Sequence, residues 1–273
     1  YATSKKFMSI YIYPLDKMQI PVLLYRQVSS NKRSIIQASS HKGGNRMAAP
    51  FLSRDDIEQI AQKILSIYSD AYVPKNHMFY TVEPELLAEV LGITVDYQML
   101  SLDGSILGVT SPDEQMVSVF YDNEECYYYL DGYTVLVDCR LRDSEKLVGR
   151  KNYTLAHEIA HQVLYKAFPN AYHSANRLTC DYRRTRNSHK KISNWVEWQA
   201  DALAAALLMP KDAILDVMFL TGLGEHIGTL SKKYTPNKYE SFCRLAETLG
   251  ASKSALSFRM EDLGLLDRNL LYK

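Results

Sequence analysis

The sequence predicts an α+β fold, in which a small, mainly antiparallel sheet leads into an HExxH helix and a small all-α region closes the chain. Three observations carry this. Between Ile93 and Cys139, five short runs rich in β-branched and aromatic residues ("ITVDYQML", "SILGVT", "QMVSVFY", "CYYYL", "YTVLVDC") alternate with Asp, Gly, Pro and Asn. Before and after them the apolar residues recur at helical spacing. Within the helix that follows, "NYTLAHEIAHQVL" (Asn152 to Leu164) sets two histidines four residues apart.

Residues 1–46 pattern differently from the rest. "SSNKRSIIQASSHKGGNRM" is rich in Ser, Asn, Lys and Gly, and predicts a poorly ordered extension. Met47 is a candidate natural start. A first helix is expected in "SRDDIEQIAQKILSIY", where Ser53 with Asp56 three residues on approaches a capping box. Ile57, Ile60, Ala61, Ile64, Leu65 and Tyr68 fall on its apolar face. A short second helix covers "EPELLAEVLG", with Pro84 near its start and Gly92 past its end.

The five strands follow, with hairpin breaks expected at Asp103-Gly104 and Asp131-Gly132. Asn152 is the expected cap of the histidine helix, whose buried stripes are Leu155, Ile159, Val163 and Ala156, Ala160, Leu164. After a polar stretch (170–192), "SNWVEWQADALAAALLMP" reads as a helix stopped near Pro210. Residues 211–273 read as helical, clearest in "RLAETLGASKSALSFRMEDLGLL", two segments around a turn at Gly250 to Ser252. The expected organisation is an extension (1–46), a catalytic-type domain (47–210) and a helix-turn-helix-like C-terminal region (211–273).

Composition narrows the function classes. Apolar residues make up 47% of the 273, enough for a sizeable core. The net charge of +1 argues against a dedicated nucleic-acid binder. No apolar run approaches a bilayer span. Lys5 and Lys6 precede a short apolar stretch, but Pro14 and Asp16 interrupt it and no small-residue cleavage site follows, so a cytoplasmic location is expected. Cys126, Cys139, Cys180 and Cys243 are widely spaced, as free thiols in a reducing compartment are.

Histidines at i and i+4 stack on one helical face and can grip one metal ion from a rigid backbone. The same spacing also arises by chance on solvated helices, so the rest of the chain must decide. A catalytic zinc takes three protein ligands and leaves a fourth position open. The downstream candidates are His173, Cys180, His189 and Glu197, of which the first three lie in the polar stretch without helical support. Glu197 lies on the second helix, and Asp201 follows one turn later, placed to accept the other ring N–H of a metal-bound histidine. Ala200 and Leu203 to Met209 leave that helix almost no polar face, and two acids in so apolar a segment are costly to bury without partners. His157, His161 and Glu197 are therefore the expected metal ligands, with Asp201 behind them.

"DGYTVLVD", "GRKNYTLAHEIAHQVL" and "EWQADALAAALLMP", in that order, resemble the ImmA/IrrE family of bacterial zinc metallopeptidases. The resemblance covers roughly 53–266, up to "LGASKSALSFRMEDLGLL", while residues 1–46 have no counterpart. It implies a zincin-like metallopeptidase with one Zn2+ held by His157, His161 and Glu197, and with Glu158 as general base. It also implies an anti-repressor that cuts a helix-turn-helix repressor in a mobile element or a stress-response locus.

The chemistry follows from such a site. Glu158 does not readily ligate an ion held by its flanking histidines, but it reaches a water on that ion and can move its proton to the leaving amine. Tyr172, His173, Tyr182 and His189 are candidates for stabilising the oxyanion. The strand at 133–138 is expected to offer an edge for an extended substrate. A DNA-binding regulator built on 242–266 is one alternative, and a protein-binding scaffold with structural zinc another. From Pro236 onward, six basic residues (Lys238, Arg244, Lys253, Arg259, Arg268, Lys273) against five acidic ones (Glu240, Glu247, Glu261, Asp262, Asp267) make direct DNA binding the weaker expectation. The basic run "RRTRNSHKK" reads as a solvated loop able to steer an acidic partner. A scaffold has no use for Glu158.

Overall fold

The computed structural model describes residues 52–74, 80–169 and 195–267. Helix α1 (Arg54–Tyr72) starts at the expected capping box: Ser53 Oγ accepts from Asp56 N–H, and the Asp56 carboxylate accepts from Ser53 N–H at 3.0 Å. Its buried residues are the six that the helical period selects. Helix α2 (Pro84–Val90) ends before Gly92, which takes the left-handed φ of 67° that this stop requires.

The strands are β1 (Thr94–Gln98), β2 (Gly108–Thr110), β3 (Glu114–Tyr121), β4 (Glu124–Asp131) and β5 (Thr134–Asp138). They form two sheets rather than one. β1, β5 and β2 lie side by side in that order, and β3 pairs with β4 alone. Two of the three ladders are antiparallel, while β1 runs parallel to β5. Neither expected hairpin break joins paired neighbours. Among the described residues, the one true hairpin turns at Asp122-Asn123, both with positive φ (50° and 67°), the two-residue loop that matches strand twist.

β5 is central, with β1 on one side and β2 on the other, so it offers no edge. It is also buried on both faces, which explains its unbroken apolar run. Val135 and Val137 join the main core, whereas Leu136 packs with Val109, Val117, Val119 and Leu130 beneath the β3–β4 hairpin.

Helix α3 (Val148–Ala167) carries both histidines. It begins four residues before Asn152, because the 3-10 turn Glu145–Leu147 runs directly into it, so Asn152 lies inside the helix instead of capping it. Every residue from Thr154 to Tyr165 is buried. One side of α3 meets β2 and β5, and another meets α4 (Trp195–Leu208), which packs in turn on α1. Helices α5 (Lys211–Leu220), α6 (Pro236–Thr248) and α7 (Lys253–Asp262) follow, and one core cluster runs from Leu52 to Leu266. Arg259 on α7, 6% exposed, grips Glu58 on α1 through two bonds (2.5 and 2.9 Å) and donates to Met209 O. No helix among the described residues is long and apolar enough to cross a membrane.

Candidate metal centre

His157 and His161 project from one face of α3, one turn apart, toward Glu197 in the first turn of α4. The packing of α3 on α4 brings them together. His157 Nε2 lies 3.1 Å from His161 Nε2 and 3.4 Å from Glu197 Oε2, and His161 Nε2 lies 3.5 Å from Glu197 Oε1. Donors at 2.0–2.1 Å from a tetrahedral ion stand about 3.3–3.4 Å apart. The triangle therefore fits one ion with three protein ligands.

The protonation pattern agrees. Asp201 Oδ1 lies 2.9 Å from His157 Nδ1, so the ring proton belongs on Nδ1 and the Nε2 lone pair points at Glu197 and His161. Without a metal, burial pushes the His157 pKa down, but bonds to Asp201 and Glu197 overcome it and raise it to about 10. Burial lowers His161, which leaves it neutral and ready to ligate. Burial would raise Glu197, yet the two imidazoles hold it far below the usual carboxylate range. A cation in the triangle would take over the role that the His157 proton plays.

Glu158 is 0% exposed, and neither of its carboxylate oxygens has a hydrogen-bond partner among the described residues. Burial first, then the negative charges of Glu197 and Asp201, raise its pKa to about 8 against the pull of His157. A structural acid would be paired, and an acid that must exchange a proton is better left open. Strand β2 closes over it: a Cβ built on Gly108 would stand 2.5 Å from Glu158 Oε1. One turn further on, Gln162 Nε2 donates to Thr110 Oγ1 (2.5 Å) and to Ser111 O (2.8 Å), tying β2 to α3.

All five residues selected from the sequence (His157, Glu158, His161, Glu197, Asp201) meet here, and His157, His161 and Glu197 form the metal-competent cluster found among the described residues. Tyr172, His173, Cys180, Tyr182 and His189 lie outside the described residues. Two residues that the sequence reading passed over also line the site. The Tyr165 ring stacks on His161 with centroids 5.6 Å apart, and Tyr153 Oη lies 3.4 Å from Asp201 Oδ1. Both sit four residues from a histidine ligand, a helical spacing that could have flagged them. Nothing in the sequence singles out Gly108.

Among known proteins, residues 141–261 match the family model of the IrrE N-terminal-like domain of peptidase family M78. No curated protein matches the chain.

Proposed function

Because this chain belongs, through residues 141–261, to the ImmA/IrrE family of metallopeptidases, we propose that it is a zinc-dependent endopeptidase of zincin-like architecture. Its substrate would be a helix-turn-helix repressor in the cytoplasm, and cutting it would relieve repression of a mobile element or a stress response. The observation that carries the chemistry is the triangle of buried His157 and His161 with half-buried Glu197, beside the Glu158 carboxylate that no described residue pairs.

When bound, zinc supplies Lewis acidity, acidifying a water and polarising the scissile carbonyl. His157 and His161 present neutral Nε2 atoms, and Glu197 its carboxylate. Asp201 holds the His157 ring in the tautomer that ligates. Glu158 takes the proton of the attacking water and returns it to the leaving amine, a task suited to a carboxyl already raised toward neutrality. An extended segment of substrate adds most simply to β2, which lies against Glu158 and has β5 as its only neighbour among the described strands.

Purified protein should hold close to one zinc per chain. Single alanine changes at His157, His161 and Glu197 should each lose it, while Cys180→Ala keeps it. Zinc retained by Glu197→Ala but lost by Cys180→Ala would show the third ligand to be the cysteine. For the substrate, Glu158→Gln protein serves as bait in the native cell extract, and mass spectrometry identifies what it retains. Recovery of a repressor that wild-type protein leaves whole would favour a binding-only regulator.

A further inference from the structure

Strand β2 and helix α3 touch at two successive points that share one register. Gly108 lies against Glu158, and two residues on, Thr110 receives the Gln162 amide. Two strand residues advance about 6.6–6.8 Å and four helical residues about 6 Å, so the two elements stay in step over this stretch. Ser111 O takes a second bond from Gln162, which fixes the strand's height over the helix.

At the Gly108 contact there is no room for a side chain. A Cβ would stand 2.5 Å from Glu158 Oε1, 2.7 Å from Cγ and 2.9 Å from Cδ. Because three atoms along the Glu158 side chain are approached, turning the carboxylate alone does not relieve the overlap. The backbone itself does not call for glycine, since Gly108 is absent from the residues with positive φ. Gly108 is the first residue of β2, and a glycine in a strand often marks a site where another group approaches closely. Space, not conformation, selects it.

We propose that Gly108 is a positioning residue for Glu158: its bare backbone forms the wall that keeps the carboxylate in a single rotamer beside the metal ligands, and Gln162 holds that wall in place. Its functional meaning rests on Glu158 being the general base proposed above. The contact itself does not.

A double-mutant cycle separates the two. In wild-type background, Gly108→Ala should lower the melting temperature by roughly 2–12 °C, the scale of forcing one methyl into a packed core of this size. In a Glu158→Ala background the methyl has space, and the drop should shrink to about 2 °C or less, within the scatter expected of an unstrained change. If Gly108→Ala alone fails to fold while the double variant folds, the coupling is shown outright. Equal drops in both backgrounds, or failure of both proteins to fold, would mean that β2 needs the glycine for itself, and the proposal falls. On the repressor recovered with the Glu158→Gln bait, Gly108→Ala should keep zinc and KM within a few-fold, yet lose about 10²-fold in kcat, as a roughly 1 Å misplacement does. Unchanged kcat would overturn the positioning role even if the thermal coupling holds. Should Glu158→Gln itself cleave normally, the base assignment fails, and the thermal cycle still reports on the contact.

Discussion

Replacing Asp201 by asparagine removes a charge while leaving an oxygen able to accept from His157 Nδ1, 2.9 Å away. A hydrogen bond to a charged group is worth about 1.5–3 kcal/mol and a neutral one about 0.5–1.5, so the substitution forfeits roughly 1 kcal/mol or slightly more. The Asp201 side chain is 47% exposed, and solvent screening pulls that toward the lower end. At about 1.4 kcal/mol per tenfold, zinc affinity should fall by about 5–10-fold, at the edge of the roughly 10–100-fold typical of such partners. Asp201→Ala, which leaves Nδ1 without its acceptor, should approach the 100-fold end. Competition against a chromophoric chelator measures both. A pH series adds a signed test. The proton on metal-free His157, whose pKa is raised to about 10 against the opposing effect of burial, must leave before zinc binds. Wild-type affinity should therefore climb as pH rises between about 6.5 and 10, and the climb should end at lower pH in the Asn variant. Affinities of wild type, Asn and Ala within twofold of one another, with the same pH profile, would refute the role given to Asp201.

Breaking the Arg259–Glu58 pair by Arg259→Met leaves the Glu58 carboxylate without its partner between α7 and α1. The cost should be on the order of 2–4 kcal/mol, since Glu58 is only partly buried, and a thermal melt should fall by about 5–15 °C; a melt unchanged within 2 °C would remove the tie from the account. A protein starting at Met47 should fold and bind zinc like the full chain, because the capping box at Ser53 opens the patterned region; loss of solubility or of metal would contradict this. Lys166 donates to Gly132 O and lies over the Tyr133 ring, but burial lowers its pKa to about 8 despite the pull of Asp131. The unfolded chain then binds more protons between pH 8 and about 10.4, so stability relative to Lys166→Met should rise with pH across that window. A flat or falling difference in denaturant midpoint would show that the amine is not desolvated.

Much of the site was legible because its signals are local. The histidine spacing with the acid inside the motif, the two acids on an otherwise apolar helix and the capping box at Ser53 each lie within a few turns of a single helix. What escaped depends on partners distant in sequence. The position of β5 between β1 and β2 comes from pairing 94–98 with 134–138, about forty residues apart, and an unbroken apolar run does not reveal whether a strand is central or at an edge. The helix start at Val148 was hidden because a 3-10 turn delivers the chain into it without any side-chain cap. Asp122-Asn123 makes the hairpin without a glycine, so the Asp-Gly pairs drew attention to the wrong turns. Gly108 acquires meaning only once β2 is laid across Glu158.

In the proposed mechanism Glu158 moves the proton while His157, His161 and Glu197 hold the metal. That mechanism is tested most directly with one preparation of Glu158→Gln, assayed side by side for zinc content and for fragmentation of the captured repressor. Glutamine fills the same space and cannot take up a proton. The protein should retain close to one zinc per chain and still bind the repressor, yet cut it about 10²–10⁴-fold more slowly than wild type, the scale of general acid–base catalysis. Near-normal cleavage with full zinc would contradict the account.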